Sequence, residues 1–224
     1  AGVTARRQGV NGLHVHVGMP GADECMTTLE MLLPWMPFVL AASANSPFMS
    51  GRATGLASNR AEILAQLPRS SAPPVFDGYS GWETWIEGLV AIGLMKDYTQ
   101  VWWDIRPHPR FGTLEIRMPD QPTGLDRTAG FIGLLRDLCA WALEHPAPEP
   151  ADRGIYQQNR WAAVRYGPDA ELIHDGRLVR VGDLYEELPV ETSLDPDLHE
   201  GALQLEQGDA GAACADIVRR TWPS

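Results

Sequence analysis

Polar and apolar residues alternate in three short segments of the chain, a period of two that predicts β-strands with one buried face. The segments are residues 12–18 (GLHVHVG), 102–106 (WWDIR) and 113–117 (TLEIR). Their polar positions hold three pairs: His14 and His16, Asp104 and Arg106, and Glu115 and Arg117. If the three strands share a sheet, these side chains form one polar floor. The alternative is three ordinary amphipathic strands with solvated outer faces, which antiparallel sheets commonly have.

Apolar residues at intervals of three and four predict helices around these strands. We expect helices at about 24–43, in the second half of 46–64, and at 80–95, 126–144 and 151–167. Pro34 and Pro37 predict a kink in the first helix. Residues 170–181 predict a hairpin that turns at Asp175 and Gly176. Because helices and non-adjacent strands mix without a strand–helix–strand rhythm, the pattern predicts an α+β fold with an antiparallel sheet.

Charge and size restrict the function further. The chain has 224 residues, 44% of them hydrophobic, which suits one large domain or two small ones. Its net charge is −11, and residues 181–224 hold ten acidic and two basic residues. We expect this last region to be an acidic helical tail with a solvated face. Nucleic acid is an unexpected partner, because binding to phosphates requires a basic surface.

Membrane association and disulfides are also unexpected. No run of eighteen apolar residues occurs without a break, so the sequence predicts no transmembrane helix. No basic-then-apolar leader is present, which argues against a secretory signal. Cys25, Cys139 and Cys214 are odd in number, widely spaced and outside any zinc pattern. Buried free thiols in the cytoplasm are the simplest interpretation.

The polar strand faces and the arginines suggest chemistry with a metal and with anions. Histidine and glutamate can hold a metal, and planar guanidinium groups suit carboxylates and phosphates. Five arginines fall on polar strand faces or in loops bounded by glycine or proline: Arg52, Arg60, Arg106, Arg110 and Arg117. The sequence contains neither a P-loop nor a GxGxxG after a strand. A nucleotide would therefore be held by arginines and metal over a sheet.

A metal-dependent amidohydrolase is an alternative interpretation of the His-x-His pair. Such a barrel needs more histidines at strand ends and a regular alternation of strands and helices. The remaining histidines do not supply this, and His108 lies between two prolines, where a structural role is the simpler expectation.

Five segments together resemble the bacterial carboxylate–amine ligases of glutamate–cysteine ligase family two. They are GLHVHVG, LPWMPFVLAASANSPF, GRATGLASNR, VWWDIRPHPRFGTLEIRMPDQPT and QNRWAAVRYG, in this order. The resemblance implies a glutamine-synthetase-like fold, in which helices pack on one face of a curved antiparallel sheet. It also implies an ATP-dependent and Mg²⁺-dependent ligase that joins the γ-carboxylate of glutamate, or a similar acid, to an amine such as cysteine through an acyl phosphate.

The resemblance assigns roles to eight residues. It implies metal ligands at His14, Glu115 and His16, catalytic roles for Arg117 and Arg52, and ATP-binding roles for Arg106, Arg60 and Arg160. Arg117 would face the transferring phosphoryl group, and Arg52 would clamp the substrate carboxylate or the transition state.

One departure from the family concerns the N-terminal side. Family members begin with a strand of clustered glutamates that is absent here, so residues 1–224 resemble the C-terminal portion of one catalytic domain. We expect either a separate chain with the missing segment or a homo-oligomer as partner. The alternative is an incomplete, non-catalytic chain that binds such a partner.

Overall fold

The computed structural model describes residues 9–145 and 149–221, which form nine α-helices and nine short strands. The helices are α1 (Ala22–Leu32), α2 (Met36–Ser43), α3 (Asn59–Ala65), α4 (Gly78–Ala91), α5 (Leu125–Glu144), α6 (Arg153–Tyr166), α7 (Val181–Glu187), α8 (Glu200–Glu206) and α9 (Ala210–Thr221). The strands are β1 (Val15–Gly18), β2 (Phe48–Met49), β3 (Arg52–Ala53), β4 (Ser70–Ser71), β5 (Trp102–Trp103), β6 (Ile105–His108), β7 (Thr113–Ile116), β8 (Glu171–His174) and β9 (Arg177–Arg180). This mixture confirms the predicted α+β class.

The three predicted amphipathic strands meet in one antiparallel sheet of order β1-β7-β6. Its register places His16 opposite Glu115 and Glu115 opposite Arg106, in one row across the sheet. Directly opposed residues of antiparallel strands share a face, so this row lies on the polar side. The apolar side packs on helices α1 and α5 and carries fully buried aliphatic side chains, among them Ile105, Leu114 and Ile116.

The segment of residues 22–43 is more apolar than the sequence pattern suggested. It comprises α1, a 3₁₀ turn at Leu33–Trp35 and α2, and it is long and apolar enough to cross a membrane by length and composition. However, 78% of its most apolar window is buried inside the protein, as in the core helix of a soluble protein. Pro34 and Pro37 lie in the first turns of the two later pieces, at the predicted break.

The segment WWDIR is not the continuous strand that its alternation predicts. A bend at Asp104 separates β5, which pairs with β4 in parallel, from β6, which joins the three-stranded sheet. As a result Trp103 and Ile105 enter different apolar clusters. Trp103 packs with a group of aromatic side chains that includes Phe76 and Trp85.

The C-terminal half follows its sequence pattern more closely. Helix α6 ends at Gly167, which has a positive φ of 57°. A β-carbon there would lie 2.7 Å from that of Ala57, so both the backbone and the packing require glycine. The β8–β9 hairpin turns at Asp175 and Gly176, both with positive φ, as predicted. The acidic region contains α7, α8 and α9, while residues 222–224 lie outside the described part of the chain.

The three thiols should differ sharply in reactivity. Cys25 and Cys139 are buried, which raises the pKa of both thiols to about 12 and suppresses the reactive thiolate. Cys214 is exposed, contrary to the expectation that all three are buried. Titration of the native protein with Ellman's reagent should therefore label one thiol rapidly, and unfolding in denaturant should release the other two. A Cys214→Ser variant with unchanged rapid labelling would contradict this assignment.

Candidate functional site

The carboxylate of Glu115 is the centre of the polar strand face. Its Oε2 accepts a 2.6 Å hydrogen bond from Nε of Arg106, and its Oε1 accepts a 2.7 Å bond from Nη1 of Arg117. Nδ1 of His14 lies 3.5 Å and Nε2 of His16 lies 3.8 Å from the same Oε1. The strand alternation thus brings five of the predicted site residues together.

This face is not the solvated surface of an ordinary amphipathic sheet. Glu115 is only 3% exposed and Arg106 only 5%, although His14 and His16 remain open to solvent. A buried carboxylate normally resists ionisation, and here burial alone would raise the pKa of Glu115. Contact with His14 and the charge of Arg106 outweigh burial and hold that pKa well below its usual range. Glu115 is therefore ionised at any physiological pH.

His16 belongs to a ring cluster that extends the polar face. Its Nδ1 lies 2.9 Å from the hydroxyl of Thr113, and its ring meets that of His108 edge-on at 5.2 Å. His108 stacks on Phe111 at 4.4 Å. Partial burial lowers the pKa of His16 below its ordinary value, despite the opposing charge of Glu115. The imidazole is accordingly neutral near pH 7 and has a lone pair to offer.

A cavity of about 770 Å³ opens beside this face. His14 and Arg117 line it from the sheet, and Arg60 lines it from the start of helix α3. Arg60 is buried and donates to the carbonyls of Met118 and Arg117 at 3.1 and 2.8 Å. Gly12 allows this approach, because a β-carbon there would lie 2.1 Å from Nη2 of Arg60.

Asp120 fixes the loop that carries Arg60 to the end of the sheet. This buried carboxylate accepts hydrogen bonds from the hydroxyls of Ser46 and Ser58, at 2.7 and 2.9 Å, and from the backbone of Asn45 at 2.9 Å. Arg60 itself lies 3.6 Å from Asp120. Asp120 thus attaches the segment GRATGLASNR, and the residues just before it, to the end of the sheet.

Two of the predicted residues lie apart from this group. Arg52 is exposed on the β2–β3 hairpin, where its backbone pairs with that of Met49. Arg160 is buried in helix α6 and donates to Asp104 at 2.9 Å, which also accepts from the hydroxyl of Tyr156 at 2.8 Å. Burial alone would lower the pKa of Arg160, but the carboxylate of Asp104 raises it above its ordinary value.

The cavity also contains residues that the sequence pattern did not identify. Arg69, Gln100 and Trp102 also line it, and His108 belongs to the ring cluster beside it. His108, although it lies between two prolines, belongs to β6 and pairs opposite Thr113. Extending the alternation by two residues beyond Arg106 would have placed His108 on the polar face. No pattern in the sequence indicates that Arg69 belongs to the site.

Comparison with known proteins identifies the family of this chain. The profile described as glutamate–cysteine ligase family 2 matches residues 1–220. The chain belongs to glutamate–cysteine ligase family 2.

Several relatives carry the provisional name of a glutamate–cysteine ligase 2. The chain is 41% identical to one from Rubrobacter xylanophilus, over 94% of this chain and 60% of the relative. It is 40% identical to one from Frankia alni, over 96% of this chain and 60% of the relative. One from Pseudomonas aeruginosa is 38% identical over 83% of this chain and 50% of the relative. The chain therefore spans about half to three fifths of these glutamate–cysteine ligase 2 relatives.

The ionised Glu115 should make stability depend on pH in this family member. Because its folded pKa is depressed, the carboxylate stabilises the fold above the ordinary glutamate pKa, and this contribution is lost as pH falls. In urea unfolding, Glu115→Gln should be less stable than wild type at pH 7. Below about pH 4 the difference should shrink by up to about 1.4 kcal/mol per pH unit. A difference that stays constant from pH 7 to pH 3 would contradict the depressed pKa.

Arg160 should act chiefly as the partner of a buried charge. Removing it leaves Asp104 buried without its cation, so Arg160→Ala should destabilise the fold by about 3–5 kcal/mol. Thermal or urea unfolding measures this, with exposed Arg136→Ala as the control, since Arg136 pairs with its neighbour Asp137 at the surface. Equal stability of the two variants would show that the Arg160 pair is not structural.

Proposed function

We propose that this chain carries the active centre of an ATP-dependent carboxylate–amine ligase. The reaction joins the γ-carboxylate of glutamate, or of a similar acid, to an amine such as cysteine. The acid carboxylate attacks the γ-phosphorus of ATP, which gives an acyl phosphate and ADP. The amine nitrogen then attacks the acyl carbon, phosphate leaves, and the nitrogen releases a proton. The observation that carries this proposal is the ionised Glu115 between two arginines, beside a cavity with a third arginine in its wall.

Mg²⁺ suits this donor set if it arrives with the nucleotide. Mg²⁺ commonly takes one or two protein carboxylates and completes its shell with waters and substrate phosphates. Oε2 of Glu115 accepts one arginine bond and has a second lone pair for a cation, while Nδ1 of His14 lies beside Oε1. Among the described residues, no group of three His, Cys, Asp or Glu is placed to hold a metal by itself. Glu115 and His14 would hold the ion, with His16 beside them, and bound Mg²⁺ would neutralise phosphate charge.

The arginines would supply the remaining charge stabilisation. Phosphoryl transfer depends on positioning and on neutralising oxyanions rather than on a protein nucleophile. Arg117 reaches both Glu115 and the cavity, so it would face the transferring phosphoryl group. Arg60 would attract ATP phosphates through its charge, because both of its terminal nitrogens donate to backbone carbonyls, and Arg106 would orient Glu115. Arg52, exposed on its hairpin, would clamp the substrate carboxylate or the transition state.

The sheet supports the proposed fold and the proposed partner. The antiparallel sheet has helices packed on its apolar face and the polar row on the other, as a glutamine-synthetase-like catalytic fold requires. Strand β1 has a paired neighbour on one side only among the described residues. A chain that carries the rest of the domain, or a second copy of this chain, would extend the sheet there. A cytoplasmic location, where ATP and Mg²⁺ are abundant, accords with this chemistry.

Mg²⁺-dependent ADP release tests the ligase proposal. The assay contains ATP, glutamate and a set of amines that includes cysteine, and release should require both acid and amine. Glu115→Gln and Arg117→Ala should each lower turnover by at least about 100-fold, the scale of removing one oxyanion-stabilising group. Glu87→Ala, which removes an exposed glutamate of α4, is the matched control and should retain full turnover. Undiminished turnover in folded Glu115→Gln would remove Glu115 from the chemistry.

A second arm tests the need for a partner. The portion of the Rubrobacter xylanophilus relative that this chain does not span would be added as a separate polypeptide. ADP release only after its addition would mean that the active site is shared between the two polypeptides. If folded protein releases no ADP in either arm, a non-catalytic chain is favoured. If the protein binds zinc tightly and hydrolyses amides, an amidohydrolase is favoured.

A further inference from the structure

The charge of the cavity wall is opposite to that of the whole chain. The protein has a net charge of −11. The described residues that line the cavity nevertheless include three arginines, Arg60, Arg69 and Arg117, and no aspartate or glutamate. Low-dielectric walls of one sign of charge concentrate ligands of the opposite sign. The cavity is therefore suited to an anionic ligand, whatever chemistry takes place at Glu115.

Arg69 differs from the other two arginines in which of its guanidinium nitrogens are free. Arg117 donates to Glu115, and both terminal nitrogens of Arg60 donate to backbone carbonyls. Arg69 uses only Nε, which donates to the carbonyl of Gln100 at 3.1 Å. Its two terminal nitrogens have no partner among the described residues. A planar pair of free donors beside a cavity is the geometry that binds carboxylate and phosphate groups.

The backbone holds Arg69 in place at an energetic cost. Arg69 has a φ of 57°, a left-handed conformation that non-glycine residues rarely adopt. Its carbonyl accepts a 2.8 Å hydrogen bond from the backbone of Trp102, where β4 and β5 pair. Glycine would satisfy this conformation without strain, yet the position carries a long charged side chain. Local strain of this kind is commonly found where a side chain serves a ligand.

The wall around Arg69 is apolar. Leu64, Leu67, Leu94 and Trp102 line the cavity together with it, and Leu94 is 61% exposed. An apolar pocket with a few convergent polar groups is the usual form of a small-molecule site. The ligand group that reaches Arg69 would thus belong to an organic molecule, whose carbon atoms cover exposed Leu94 and half-buried Trp102.

We propose that Arg69 binds an anionic oxygen group of a substrate in the cavity that His14 and Arg117 also line. This inference rests on the proposed ligase function and deepens it by adding a specificity-determining residue. The group is either a phosphate of ATP or the second carboxylate of the acid, because both present oxygens that match the guanidinium. Arg69 selects ligands that carry this group and takes no part in bond formation.

Matched pairs of probes distinguish the two sources. Mg–ATP is compared with adenosine, which lacks the phosphates, and L-glutamate is compared with 4-aminobutyrate, which lacks the α-carboxylate. Calorimetric titration of the full chain measures each dissociation constant. Wild type should prefer the anionic member of at least one pair, and Arg69→Gln should reduce that preference about tenfold or more, the scale of one charge-assisted hydrogen bond. Arg69→Lys should keep part of it, since it retains the charge but not the planar fork.

Controls separate a failure of this inference from a failure of the ligase proposal. Arg69→Gln retains a donor for the carbonyl of Gln100, so unchanged circular dichroism and melting temperature should accompany the loss. Arg136→Ala should leave every preference as in wild type. If wild type shows a preference and Arg69→Gln keeps it in both pairs, Arg69 is not the anion-binding residue and the ligase proposal stands. If wild type binds none of the four probes, either alone or with the added polypeptide of the second arm, both proposals fail.

Discussion

The burial of one ionised carboxylate between two guanidinium groups determines the organisation of this protein's polar strand face. Glu115 lies in the central strand, so its partners must come from both neighbouring strands and from its own. A buried ion pair stabilises a fold weakly, because desolvation offsets most of the Coulombic attraction. What it provides is specificity of register. A shift of β1 or β6 by one residue would turn the polar side chains of that strand into the apolar core and remove them from Glu115.

Strand alternation predicted the sheet and the group of side chains around Glu115, because both depend on local periodicity. The same rule failed at Asp104, where a bend divides the segment and directs the carboxylate to Arg160 and Tyr156. That bend is determined by non-local contacts, including the parallel pairing of β4 with β5. The sequence pattern did not identify Arg69 as a site residue for a related reason. Its position depends on a positive φ, which a single sequence does not reveal in a residue other than glycine. Family resemblance named functional residues, but it could not show which arginines retain free donors.

The placement of the Arg60 loop beside the sheet likewise cannot be predicted from the sequence. It depends on Asp120, whose two oxygens collect hydroxyl and backbone donors from residues more than sixty positions earlier in the chain. Serine, asparagine and aspartate are common in any loop, so their presence did not predict this cluster. The cluster has a functional consequence. It fixes Arg60 against Gly12 at the sheet end, where both residues line the cavity.

The charge balance around Glu115 connects this architecture with chemistry. One carboxylate meets two permanent cations there, Arg106 and Arg117, while partial burial favours the neutral form of His16. Arg60, by contrast, lies within ion-pair distance of Asp120. Glu115 and its two arginines together therefore carry a net charge of +1, and Arg117 presents it to the cavity. A fixed surplus of this kind needs no reorganisation when negative charge develops nearby, which is the condition for effective stabilisation of an oxyanion. Neutral residues of the same shape would pack as well or better, so stability alone does not explain this arrangement.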